Sequence, residues 1–146
     1  QVDSMLYLNL ISGRNPKYLI EEQVKASFQI KKYKIHTIPT AYILLNGGLK
    51  TSVEIISNTK PLRMNNYDNI LMHALAGEYL GNKIIYFECG SGAKRKMSIK
   101  LLEYIKNNVN TPIMVGGGIK TNNDIIELID AGADYVVSGS MFEINH

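Results

Sequence analysis

The sequence has one cysteine (Cys89), no tryptophan, three histidines and four prolines in 146 residues. A lone thiol excludes an intrachain disulfide and fits a reducing compartment, so the expected location is cytoplasmic. With one cysteine and scattered histidines, no zinc constellation can be written. No apolar run approaches the ~20 residues that span a bilayer, and no signal-peptide pattern is present. Charge is nearly balanced, with Lys+Arg 16 against Asp+Glu 13. The longest basic run is Ala93–Lys96, "AKRK", which argues against a nucleic-acid partner. What is present is 45% hydrophobic and 20% charged, enough for one domain with a real core. An apolar run starts almost at residue 1, and the chain stops at "MFEINH" just after another. It is therefore expected to be part of something larger.

Strand-like and helix-like segments alternate. Val2–Leu10 reads as a buried strand. A helix follows from the Asn15-Pro16 start signal, with Ile20, Val24 and Phe28 spaced by four on one face. Ile35–Leu45 is a strand in which Pro39 should mark an end or a bulge, and Thr51–Ser57 reads as a short extra strand. Further helices are expected over Asp68–Tyr79 (Leu71, Leu75 and Tyr79 in line), after Ser98, and from a capping box at Thr121 and Asp124. Lys83–Glu88, "TPIMV" and Asp134–Ser140 complete about five strands. Apolar strands joined by helical crossovers form a parallel sheet. An open doubly wound sheet and a (β/α)8 barrel both satisfy this. At ~31 residues per barrel unit, the chain would hold about half a barrel.

Candidate chemistry sits at strand ends. Gly116, Gly117 and Gly118 follow one strand and precede a helix start, and Ser138-Gly139-Ser140 occupies the same place one unit later. Backbone N–H groups bare of Cβ atoms can approach an anion closely, so the pair of loops reads as a phosphate cradle. In "IIYFECGSGA", period-2 alternation puts Tyr86 and Glu88 on one face and Ile85 and Phe87 on the other. A carboxylate at a strand's C-terminal end can accept hydrogen bonds from substrate hydroxyls or take a proton. Tyr18 could wall an apolar pocket; His36 and His73 have no partner at ligand spacing.

These segments, "YFECGSGA", "PIMVGGGIKT" and "AGADYVVSGSMFE", with "NLISGRNPKYLI" and "IPTAYILL" upstream, resemble the geranylgeranylglyceryl or heptaprenylglyceryl phosphate synthases. The resemblance covers essentially the whole chain. It implies a TIM-barrel prenyltransferase of ether lipid synthesis that joins the C3 hydroxyl of sn-glycerol 1-phosphate to a prenyl diphosphate with Mg2+. The implied glycerol phosphate contacts are Tyr86, Phe87, Glu88, Cys89, Gly90, Ser91 and Gly92, then Gly117, Gly118, Gly139 and Ser140. Tyr86 and Glu88 would orient the glycerol hydroxyls, with Glu88 as general base. An aromatic at the position of Tyr18 limits the prenyl pocket in relatives, which favours geranylgeranyl.

Ala41 and Cys89 stand where relatives usually carry glycine and alanine. The larger departure is that the family's metal-binding aspartate lies on strands not present. The expected architecture is thus the C-terminal part of one TIM-barrel domain over residues 1–146, about strands four to eight, without the first three βα units and the last helix. No metal ligand is assigned, and the isolated chain is expected to be inactive. Homo-oligomer formation is expected, and peripheral membrane contact is left open. Two alternatives stand: another phosphate-binding barrel enzyme of isomerase or synthase type, and a non-catalytic phosphate-binding half-barrel.

Overall fold

The computed structural model describes residues 3–139. Five parallel strands form one sheet in sequential order: β1 (Ser4–Leu10), β2 (His36–Leu44), β3 (Ile84–Glu88), β4 (Ile113–Gly116) and β5 (Tyr135–Val137). A doubly wound sheet reverses its strand order at a switch point; this one never does, which is the topology of a barrel wall. The connections are a π-helical turn (Lys17–Glu21) running into α1 (Glu22–Tyr33), then α2 (Ser52–Ser57), α3 (Tyr67–Tyr79), α4 (Ile99–Lys106) and α5 (Asn122–Asp130).

Alternation along the strands separates two apolar layers. Ala41, Ile43, Ile85, Phe87, Ile113 and Val115 point to the helices and pack with Ile70, Ala74, Leu101, Leu102, Ile105 and Leu128. The opposite face carries Leu10, Tyr42, Leu44, Ile84, Tyr86 and Met114, the layer that lines the interior in a barrel. Ala41 fits against α3 because Gly77 lies opposite; a Cβ on Gly77 would come within 2.7 Å of the Ala41 methyl.

Four local expectations are corrected. Thr51–Ser57 is not a strand: Thr51 Oγ1 accepts from the Glu54 N–H and starts α2, so the cap overrides the β-propensity of Val53, Ile55 and Ile56. Pro39 marks neither an end nor a bulge, because β2 pairs with β1 in continuous register through it. Its carbonyl accepts from Lys83 N–H on the β3 side, and β3 starts only at Ile84 opposite Thr40, so the missing N–H forfeits no ladder bond. Along the π-helical turn and α1, Ile20, Val24 and Phe28 are exposed, at 57%, 63% and 73%. The face toward the sheet is instead Leu19, Gln23, Ala26 and Ile30, about 100° round the helix, docked by hydrogen bonds from Tyr7 Oη to the Gln23 carbonyl and from Asn9 Nδ2 to the Leu19 carbonyl. On α3 the buried line is Ile70, Ala74 and Gly77, flanked by Leu71 and Leu75, while Tyr79 is exposed.

The capping box of α5 is present as expected. Thr121 Oγ1 accepts from Asp124 N–H, and Asp124 Oδ2 accepts from the N–H groups of Thr121 and Lys120. Lys96 Nζ donates to Asp124 Oδ1 at 2.6 Å. These contacts, the Lys96 bond foremost, hold the carboxyl of Asp124 well below the usual carboxylate range. A depressed folded-state pKa contributes stability that is present above the unfolded value of ~3.9 and is lost as pH falls below it. Asp124→Ala is expected to cost about 1–2 kcal/mol at pH 7 and to narrow the gap between urea midpoints at pH 7 and pH 3. An unchanged gap would contradict this assignment.

Candidate functional site

The register sets the site. Leu44, Glu88, Gly116 and Val137 form one row at the C-terminal edge of the sheet, with Tyr42, Tyr86, Met114 and Tyr135 one row below the edge on the same face. Tyr86 Oη donates to Glu88 Oε2 at 2.6 Å, and Gly90 N–H donates to Glu88 Oε1 at 2.6 Å. The carboxylate is therefore fixed by two donors, each oxygen keeping a lone pair for a further one. Burial, then the bond to Glu88, pushes the Tyr86 phenol far above its usual range, so it stays protonated as a donor. The Tyr42 ring meets Tyr86 edge to face, with centroids 5.1 Å apart.

The run of three glycines makes room for this pair. A Cβ on Gly116 would lie 2.5 Å from Glu88 Oε2 and 2.7 Å from Tyr86 Oη. One on Gly117 would lie 2.5 Å from Glu88 Oε1, and Gly118 abuts the backbone of Arg95 and Lys96. Gly117 and Gly118 also have φ of 83° and 70°, the left-handed region that favours glycine. Among the described residues, their N–H groups have no acceptor.

Above the strand ends lies a cleft of about 410 Å³ whose lining includes Gly90, Ser91, Gly92, Gly117, Gly118, Ser138 and Gly139. The three glycine-containing loops therefore converge. Ser138 Oγ is buried there without a partner among the described residues. Ser140 lies outside the described residues. Phe87 and Cys89, although inside the contiguous motif, are fully buried on the helix side of the sheet and do not line the cleft. Burial pushes the Cys89 thiol up to about 12, so it behaves as an apolar core residue. The Gly90 N–H, expected to face an anion, is already bonded to Glu88.

Sequence reasoning missed the far wall. Lys50, Thr51 and Ser52 line the cleft, and Lys50 is its one cation among the described residues. A Cβ on Gly90 would collide with the Thr51 side chain, so α2 is pressed onto the β3–α4 loop. The Thr51-x-x-Glu54 start signal could have revealed this wall. Tyr42, Ser52 and Val53 are shared with an adjoining apolar groove of about 380 Å³, walled by Leu8, Leu10, Tyr18 and Ile56. Tyr18 thus sits in an apolar pocket. Among the described residues, Glu88 is the one carboxylate in the cleft lining.

A parallel β/α sheet in sequential strand order, with glycine loops converging at the strand C-termini, defines a protein of the (β/α) barrel class. The PcrB family model matches residues 1–146, and the chain belongs to that family. A protein of Flavobacterium johnsoniae named geranylgeranylglyceryl phosphate synthase is 48% identical over 143 residues, covering 98% of this chain and 59% of that protein. One of the same name from Pyrococcus abyssi is 33% identical, covering 97% and 55%. The crystal structure of (S)-3-O-geranylgeranylglyceryl phosphate synthase from Thermoplasma acidophilum, in complex with substrate sn-glycerol-1-phosphate, superposes with a TM-score of 0.91 at 30% identity, covering 98% of this chain and 57% of that one. The chain thus spans less than two thirds of the length of these relatives.

Proposed function

We propose that the chain supplies strands four to eight of a barrel prenyltransferase and carries its sn-glycerol 1-phosphate site. The observation that carries this reading is Glu88, which lines the cleft and is held there by Tyr86 Oη, in a cleft that shares Tyr42, Ser52 and Val53 with the apolar groove. The phosphate would sit against the Gly117 and Gly118 N–H groups, Ser138 Oγ and Gly139, with Lys50 opposite. Glu88 would accept from the glycerol hydroxyls. Tyr86 acts as the positioning residue for Glu88.

In the reaction, the C3 oxygen of glycerol phosphate bonds to C1 of the prenyl diphosphate as the C1–oxygen bond breaks. The diphosphate leaves with the electron pair, and the hydroxyl proton passes to Glu88. Positioning and exclusion of water are the main demands, because an allylic diphosphate ionises readily. The groove beside Tyr18 suits the prenyl chain, with geranylgeranyl favoured.

The Mg2+ that the family resemblance implies finds no site here. Among the described residues no three His, Cys, Asp or Glu side chains group to hold a metal. The chain alone is proposed to bind without turnover. A cytoplasmic location and association with a second copy belong to the same proposal. The exposed Ile20, Val24 and Phe28 stripe supports the association. Among the described residues no helix is long and apolar enough to cross a membrane.

Titration with sn-glycerol 1-phosphate, followed by amide NMR, tests the site. Shifts are expected together at Glu88–Gly92, Gly117–Gly118 and Ser138–Gly139. Shifts confined to one loop, or prenyl transfer by this chain alone, would refute the corresponding half of the reading.

A further inference from the structure

The connections leaving the C-terminal ends of the strands carry a second feature. On the β2–α3 connection, Leu49, Ile55 and Ile56 are exposed at 46%, 62% and 68%. Three isolated apolar residues would need no explanation, but these lie within one eight-residue segment around a single short helix. Basic side chains stand beside them. A Cβ on Gly48 would lie 3.4 Å from Lys94 Cβ and 3.7 Å from Arg95 Nε, so the "AKRK" loop abuts the turn before Leu49. Lys120 Nζ donates to the Lys94 carbonyl at 3.3 Å. Arg63 and Arg95 line one recess of about 530 Å³ between the starts of α3 and α4. Among the described residues, Arg63, Lys94 and Arg95 make no ion pair, whereas Lys96 of the same loop is taken by Asp124 and Glu127. Acids near this rim include Glu54 on α2, Asp68 in the first turn of α3, which accepts from Tyr104 Oη, and Asp124 and Glu127 on α5, which hold Lys96; Glu88 is inside the cleft.

We propose that this rim docks on an anionic lipid bilayer, with Leu49, Ile55 and Ile56 entering the acyl boundary and Arg63, Lys94 and Arg95 meeting headgroup phosphates. An exposed apolar segment flanked by unpaired cations offers the two kinds of contact such a surface takes, acyl boundary and headgroup phosphate. Ile56 also walls the apolar groove, so docking turns the groove mouth toward the membrane. That last consequence rests on the prenyl reading of the groove; the docking itself does not.

Flotation of the protein with vesicles tests it, comparing phosphatidylcholine alone with phosphatidylcholine containing about a third phosphatidylglycerol, at about 0.1 M salt. Binding to the anionic vesicles alone is expected. The triple variant Arg63→Ala, Lys94→Ala, Arg95→Ala should weaken it by on the order of a hundredfold, as should raising the salt in part. Leu49→Ser with Ile55→Ser should weaken it as well. Equal binding to neutral vesicles, no binding to either, or binding that survives the triple variant would overturn the proposal. So would a concentration-dependent dimer that Leu49→Ser with Ile55→Ser dissociates, which would make a second copy the occupant. Glu88→Gln should leave vesicle binding unchanged, and the triple variant should leave sn-glycerol 1-phosphate binding unchanged. Failure of docking and failure of the glycerol phosphate reading are thereby told apart.

Discussion

Glu88→Gln is expected to leave the fold intact and to weaken sn-glycerol 1-phosphate binding by about ten- to a hundredfold, while inorganic phosphate binds as before or more tightly. The fold should survive because glutamine can still satisfy both neighbours. Its carbonyl can accept from the Gly90 N–H, and the Tyr86 hydroxyl can rotate to accept from the new amide. What is lost is a charged acceptor for the glycerol hydroxyls, and hydrogen bonds to charged groups contribute about 1.5–3 kcal/mol. Inorganic phosphate has no hydroxyl to present there and is only repelled by the carboxylate. The ratio of the two affinities, read by calorimetry, therefore isolates the role of Glu88. Tyr86→Phe should lower the same ratio by less, because it loosens the carboxylate without removing it. An unchanged ratio in Glu88→Gln would leave the cleft as an anion site with no claim on glycerol.

Much of this site was legible in the sequence, for reasons that also explain the failures. Period-2 alternation placed Tyr86 and Glu88 together, and the parallel register then set them beside the glycine loop. The same alternation turns Phe87 and Cys89 to the other side, so a contiguous motif overstates the number of side chains that reach a cleft. The glycines were legible as a strand-end feature, but half of their purpose was not. Gly116 and Gly117 clear space for a carboxylate on the neighbouring strand, in the same row as Gly116, a contact that exists only after strands pair. On α1, a spacing of four shows that a stripe exists, but not which of two stripes a strand will accept. Here the hydrogen bonds from Tyr7 Oη and Asn9 Nδ2 to helix carbonyls, and from Gln23 Nε2 to the Leu8 carbonyl of β1, decide it. The α2 segment failed because β-branched residues dominate the propensity of Thr51–Ser57, while one side-chain cap decides its conformation.

Gly117→Ala is expected to cost about 3–5 kcal/mol and to abolish sn-glycerol 1-phosphate binding. Two costs combine at this residue. Its φ of 83° disfavours any L side chain by about 1–2 kcal/mol. Its Cβ would also lie 2.5 Å from Glu88 Oε1 and 2.7 Å from both the N and O of Gly90. Relieving those contacts means moving the carboxylate off the very N–H that positions it, so stability and binding fall together. Gly92→Ala separates the two costs: its φ is 71°, but a Cβ there meets nothing within 4 Å, leaving the backbone cost of about 1 kcal/mol. Gly139→Ala has neither problem and should stay within about 0.5 kcal/mol of the parent. Urea denaturation of the three variants should therefore rank them Gly139, Gly92, Gly117 in rising cost. Since a domain of this size holds only about 5–15 kcal/mol in all, the last step is a large fraction of its stability. If Gly117→Ala matched Gly92→Ala and still bound the ligand, the packing of the glycine run against Glu88 would have no part in forming the site.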